Sequence, residues 1–272
     1  MYQKSQEMSD SITYRKTPIH FKRNGKGPFV LLLHGFTESL EIWNEFTQML
    51  EDEFSVLSVD LPGHGRSGLM DEVHTMEAMA DAVMAVADYA GAENFIICGH
   101  SMGGYIALNL AERFPERVKG IALFHSHGAP DDEQTKINRL RTIEIVKNDH
   151  KGFIHQFIPD LFAEENRERL ENEIQVLKNR AASTSSRSII ASLEGMRQRS
   201  GSLGFMMETN LPLYFIIGKQ DSRMPYNKVI AQAMMVRHAE VLLIDGIGHM
   251  GFLEAPGKIL PALRDFFRRN GR

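Results

Sequence analysis

The sequence predicts an α/β fold: a mostly parallel sheet flanked by helices, with a helical insert. Three observations predict it. Short apolar runs alternate with amphipathic helices along most of the chain. Those runs are apolar throughout rather than at every second residue, which marks strands covered on both faces. From about residue 131 to residue 210 the alternation stops and only helical periodicity remains.

Taken in order, residues 11–17 and 19–23 read as two short strands, followed by the turn signals Asn24-Gly25 and Gly27-Pro28. PFVLLLH is a buried strand, and residues 42–50 fit a helix with Trp43 packed beneath it. FSVLSVD is the next strand. Met76, Met79, Ala80, Val83 and Ala87 then share one helix face, with Thr75 placed to cap that helix. NFIICG, which holds Cys98, is a strand, residues 103–114 are a helix and VKGIALF is a strand. In the insert, Leu170, Ile174, Leu177 and Ala181 form one apolar stripe, and Ile137, Leu140, Ile143 and Val146 form another. PLYFIIG, a helix from about Tyr226, VLLID and a last helix burying Ile259, Leu263, Phe266 and Phe267 complete the chain. The expected division is a core of residues 1–130 and 211–272 with a helical cap of residues 131–210. Met206 and Met207 read as the cap's own core.

The 272 residues, 43% of them hydrophobic, suffice for one sizeable core with a modest second lobe. A net charge of -4 supplies no basic field for phosphate backbones or anionic lipid, so nucleic acid is not an expected partner. A single cysteine excludes an intrachain disulfide and fits a reducing compartment. MYQKSQEMSD has no apolar stretch of the signal-peptide kind, and no apolar run is long enough to span a bilayer. The expectation is a cytoplasmic protein acting on a small molecule, and nothing in the sequence indicates its oligomeric state.

The sharpest local signal is Gly99-His100-Ser101-Met102-Gly103-Gly104, between an apolar strand and a helix. A nucleophile on a tight strand-to-helix turn needs glycines at its flanks, because a Cβ there collides with neighbouring backbone. The turn also aims the free N–H groups of a helix start at the reacting centre. Asp221 follows the strand PLYFIIG, and His249 sits in the loop after VLLID. Both therefore fall at the sheet edge where ligands bind, in the order Ser, Asp, His. In that constellation His249 takes the serine proton, while Asp221 fixes its tautomer and stabilises the imidazolium. Asp131, after VKGIALF, is the alternative acid. His34-Gly35-Phe36-Thr37 follows PFVLLL, so the Phe36 N–H suits an oxyanion hole, with the Met102 N–H as second donor. His34 itself reads as a brace for its loop. His34, His100, Ser126 and His127 are candidates to line the pocket, with a solvated loop the alternative for His125, Ser126 and His127. No residue cluster has metal-ligand spacing and no glycine-rich loop fits a phosphate, so neither metal nor cofactor is expected.

Together, His34-Gly35-Phe36, DLPGHGRS (Asp60 to Ser67), GHSMGG, GKQDSRMP and GIGHMGFLEAP resemble the α/β-hydrolase superfamily in its serine-nucleophile, esterase-like branch. The resemblance covers the chain outside the insert. It implies an eight-stranded, mostly parallel sheet with a helical cap after the sixth strand, Ser101, Asp221 and His249 as triad, and Phe36 and Met102 as oxyanion donors. It also implies that Asp60, His64, Arg66 and Ser67 are chiefly structural. Serine at 101 argues against the dehalogenases and epoxide hydrolases of the superfamily, which place an aspartate there. Hydrolysis of a small carboxylic ester or thioester is the expected activity. Carbon–carbon bond hydrolysis of ring-fission-type products is the alternative, although those enzymes tend to have an oxyanion loop richer in glycine than HGFTES. Acyl transfer and a non-catalytic ligand receptor are further readings.

Overall fold

The computed structural model describes residues 8–271, so most of the leader-free reading of MYQKSQEMSD lies outside the described residues. Its strands are β1 (Met8–Tyr14), β2 (Thr17–Asn24), β3 (Phe29–Leu33), β4 (Ser55–Val59), β5 (Phe95–His100), β6 (Val118–Phe124), β7 (Leu213–Gly218) and β8 (Ala239–Ile244). They form one eight-stranded sheet in the order β1-β2-β4-β3-β5-β6-β7-β8. β2 runs antiparallel to both β1 and β4, and every other pairing is parallel. β3 pairs with β4 on one side and β5 on the other. The chain thus leaves β3 in one direction and returns on its far side, which opens a crevice beyond the carboxyl ends of β3 and β5. The expected oxyanion loop and nucleophile turn are the segments that emerge there.

The apolar runs behave as buried parallel strands: every residue of β4, β5 and β7 is buried. Cys98 is fully buried within β5, and burial pushes its thiol pKa up. The first hairpin differs from expectation. Its turn is Arg15-Lys16, at φ 46° and 66°, so the first strand ends at Tyr14 instead of running through 17. A two-residue turn of this hand favours Gly or Asn, and neither residue type announces it here.

The core helices are α1 (Asn44–Leu50), α2 (Met76–Tyr89) and α3 (Met102–Arg113), with a short 3-10 turn, Leu40–Trp43, leading into α1. Thr75 caps α2, its hydroxyl accepting from the Ala78 N–H at 3.1 Å. Between β6 and β7 stand α4 (Glu133–Phe157), α5 (Glu171–Ser183), α6 (Ser186–Gln198) and α7 (Leu203–Glu208), with no strand among them. α8 (Tyr226–Ala233), α9 (Gly251–Glu254) and α10 (Pro256–Asn270) complete the chain, and α10 buries the four apolar residues expected of it. No helix among the described residues is long and apolar enough to cross a membrane.

One insert stripe is confirmed: Leu170, Ile174, Leu177 and Ala181 are all buried. The other is only half right. Ile143 and Val146 are buried, but Ile137 and Leu140 are 43% and 46% exposed. α4 departs from helical geometry at Asp149, and its first turns present a polar face inward. Met206 is buried while Met207 is exposed.

Thr75→Ala should cost about 1 kcal/mol, the worth of an N-cap hydroxyl. Urea unfolding monitored by circular dichroism measures it, and an unchanged midpoint would show that the cap contributes nothing.

Candidate active site

Ser101 joins β5 to α3 with φ 50° and ψ -114°, a backbone conformation rare for any residue but glycine. Such strain costs of order 1–3 kcal/mol and persists only where surroundings enforce it. Here the Ser101 N–H donates to the Phe124 carbonyl at 2.9 Å, and the Ser126 hydroxyl donates to the Ser101 carbonyl at 2.8 Å. A Cβ at Gly99 would lie 2.3 Å from the Gly103 carbonyl oxygen, and one at Gly103 would lie 2.5 Å from that of Leu33. The flanking glycines let helix and strands meet at this distance.

Asp221 and His249 emerge after β7 and β8. Nδ1 of His249 donates to Asp221 Oδ2 at 2.8 Å. The other carboxylate oxygen accepts from the N–H groups of Arg223 and Met224 at 2.8 and 2.9 Å. Burial favours the protonated acid, but the neighbouring His249 and His125 outweigh it and hold Asp221 far below the usual carboxylate range. The alternative acid, Asp131, is engaged elsewhere: it is paired with Arg139 and Arg199. Ser101 and His249 line one cavity of about 670 Å³ together with Phe36, Tyr105 and residues of the insert.

Phe36 stands in the loop after β3, and Met102 is the first residue of α3. No acceptor for either backbone N–H is found among the described residues. His34 is the brace that the sequence suggests. Its Nδ1 donates to the Gly35 carbonyl at 2.8 Å, and its Nε2 accepts the Leu61 N–H at 3.0 Å. Both nitrogens are thus occupied in the neutral ring, and burial lowers its pKa further. Asp60 gathers His20 Nδ1, the Leu40 N–H and the Arg66 N–H, and the Ser67 hydroxyl donates to its carbonyl, so this loop is a structural knot.

Of the four residues offered as pocket lining, the structure puts only His127 on the cavity. Burial and the Arg199 charge draw its pKa down to about 4, so it is neutral. His34, His100 and Ser126 lie beneath the surface, occupied by backbone and side-chain partners.

Two contacts had no local signal. His100 directs Nδ1 to Glu38 Oε2 at 2.9 Å and Nε2 to the His249 carbonyl at 2.9 Å. Both partners accept, so both nitrogens donate and the ring is an imidazolium. Glu38 also accepts the Gly35 N–H at 2.6 Å. Burial opposes charge on both groups. Glu38 nevertheless raises the His100 pKa above its ordinary 6.5, and His100 lowers Glu38 below its ordinary 4.5. The second contact is His125, at φ 48°, whose Nδ1 lies 3.2 Å from Asp221 Oδ2. Gly218 and Gly251 make room for its ring: Cβ atoms there would stand 3.0 and 2.4 Å from it. Burial lowers the His125 pKa, keeping the ring neutral. His125, Asp221 and His249 also place metal-ligating atoms within 4.8 Å of one another. Only His249 makes a hydrogen bond to that carboxylate oxygen; neither ring nitrogen of His125 has a hydrogen-bond partner among the described residues.

Comparison with known proteins agrees with this architecture. A sequence profile described as "alpha/beta hydrolase fold" matches residues 28–140. A thermophilic esterase from Thermogutta terrifontis, solved with malate bound, superposes with a TM-score of 0.90 at 29% identity, covering 98% of this chain and 100% of that one. The dihydrolipoyllysine-residue acetyltransferase component of the acetoin cleaving system of Pseudomonas putida is 27% identical over 92% of this chain and 66% of its own length. The pimeloyl-[acyl-carrier protein] methyl ester esterase of Nitrosomonas europaea is 34% identical over 40% of this chain and 41% of its own. The chain thus spans less than two thirds of these curated relatives. The profile match and the esterase neighbour agree with the eight-stranded sheet in showing the α/β-hydrolase fold.

Glu38→Gln strands a buried charge on His100 and should cost about 3–5 kcal/mol in urea unfolding. Glu38, with a lowered pKa, contributes stability that is lost as pH falls through its folded value. His100, with a raised pKa, contributes stability that is lost as pH rises through its folded value. The wild-type advantage is therefore widest between the ordinary values of 4.5 and 6.5 and narrows on either side. A small advantage that is flat with pH contradicts the ion pair.

Proposed function

We propose that the chain is a serine hydrolase of small carboxylic esters or thioesters, working through an acyl-enzyme on Ser101. The observation that carries this is the His249–Asp221 pair at 2.8 Å opening on the same cavity as the strained Ser101 turn. Asp221 holds the proton on Nδ1 of His249, which leaves Nε2 with a lone pair to take the Ser101 proton. The serine oxygen then adds to the ester carbonyl. The carbonyl oxygen becomes an oxyanion, to which the Phe36 and Met102 N–H groups donate. His249 returns the proton to the leaving alcohol, and water repeats the sequence to free the acid.

The esterase from Thermogutta terrifontis supports ester hydrolysis over carbon–carbon cleavage, which the same triad could perform. The single glycine of His34-Gly35-Phe36-Thr37 supports it too. We read residues 131–210 as a lid that sets substrate choice: residues of α4 and α6 line the cavity, while the reacting groups come from the sheet. A lid of this kind also excludes water and gates product release.

A fluorophosphonate should label Ser101, located by peptide mass mapping, and Ser101→Ala should lose on the order of a millionfold in kcat on an activated short-chain ester. Labelling elsewhere, or tight stoichiometric binding without turnover, removes the enzyme reading.

Asp221→Asn should cost about 10⁴-fold with the fold intact, far more than Asp131→Asn on the same ester. The reverse ranking would reassign the acid.

Single changes in the apolar lining of the insert should shift acyl-size preference by about 1–3 kcal/mol, read from kcat/KM over a graded ester panel. A folded insert variant that no longer reacts with the smallest fluorophosphonate would show that the insert takes part in the chemistry.

A further inference from the structure

The cavity wall supplied by the first half of α4 is polar. Thr135, Asn138, Arg139 and Thr142 line it at the spacing of one helix face, while Ile137 and Leu140 are turned to solvent. An insert that merely covered an apolar acyl pocket would show the opposite arrangement. The segment after β7 adds Arg223 and Lys228 to the same cavity.

The charges of this wall can be paired off. Glu38 is matched by His100, Asp131 by Arg139 and Arg199, Asp132 by Lys228 at 3.9 Å, and Asp160 by Arg167 at 3.5 Å. Among the described residues, the one cavity-lining cation with no carboxylate within 4.0 Å is Arg223. Its guanidinium carbon stands 4.8 Å from the centroid of the Phe157 ring, which fixes the group against the wall. Phe157 in turn packs edge-on against Phe36 at 5.8 Å, and Phe36 carries one of the proposed oxyanion donors. A cation outside ion-pair distance of any described carboxylate, with Asp160 and Asp221 acting on it only from farther off, is thus linked through the Phe157 and Phe36 rings to the proposed oxyanion loop.

We propose that this polar half of the cavity is a subsite for a carboxylate carried by the substrate, with Arg223 as its counter-ion. The preferred substrates are then half-esters of dicarboxylic acids, or esters of comparable anionic acids. A guanidinium offers a planar pair of donors that matches a carboxylate in two parallel hydrogen bonds. The polar face of α4 gives the same group hydroxyl and amide neighbours. The inference rests on Ser101 being an esterase nucleophile and adds the class of acid to that reading.

The test compares mono-p-nitrophenyl glutarate with its neutral terminal amide, on wild type, Arg223→Gln and Arg223→Lys. Wild type should favour the anionic ester by about tenfold or more in kcat/KM, the worth of a charged hydrogen bond. The preference should collapse towards unity in Arg223→Gln, survive in part in Arg223→Lys and weaken with added salt. Free glutarate should inhibit wild-type hydrolysis of the neutral ester competitively, a readout that needs no variant to fold. Equal turnover of the two esters by wild type, or a preference unchanged in Arg223→Gln, overturns the subsite while leaving the esterase reading intact. Failure of wild type to turn over either ester or to react with a fluorophosphonate overturns the esterase reading, and the subsite with it.

Discussion

The start of α3 lies so close to the ends of β3 and β5 that no side chain fits between them. Gly99 meets the Gly103 carbonyl and Gly103 meets the Leu33 carbonyl at distances a Cβ would occupy. That approach forces Ser101 into its positive-φ conformation and presents its side chain to the cavity. It also leaves the Met102 N–H at the front of the helix, where no carbonyl among the described residues accepts it. Because the sheet reverses its winding order at β3, the loop bearing Phe36 emerges beside the same turn. The proposed nucleophile and both proposed oxyanion donors are thus products of one packing constraint.

Electrostatics then ties the remaining loops to that point. The imidazolium of His100, next to Ser101, bonds Glu38 of the loop after β3 and the main-chain carbonyl of His249. Glu38 in turn holds the Gly35 N–H. Three loops that would carry the chemistry are linked through one buried ion pair. Asp221, held anionic by His249, His125 and two backbone N–H groups, fixes the imidazole ring from the other side. The histidines of this region therefore divide by environment: His100 is charged because a carboxylate faces it, while burial keeps His34 and His127 neutral.

What the sequence made legible follows from how local each signal is. The turn at Ser101 is a run of six residues whose glycines have a single steric meaning, and Asp221 and His249 each follow a recognisable strand. Pairing between strand ends is not local. Glu38 and His100 are 62 residues apart, and His125 reaches Asp221 only because two glycines from other segments clear its ring. The first hairpin escaped because Arg15-Lys16 takes a turn usually written with glycine or asparagine. The α4 stripe failed because of which face the helix turns inward. Periodicity identifies an apolar face and assigns it inward, yet the face α4 turns to the cavity is the polar one.

The central claim is that Ser101, His249, Phe36 and Met102 form one reacting centre, and a crystal soaked with a small serine-reactive phosphonate tests it most directly. The account predicts phosphorus bonded to Ser101 Oγ, with the phosphoryl oxygen about 2.7–3.1 Å from both the Phe36 and Met102 nitrogens. It also predicts His249 still on Asp221. An adduct on another residue, or a phosphoryl oxygen turned away from both N–H groups, would contradict it.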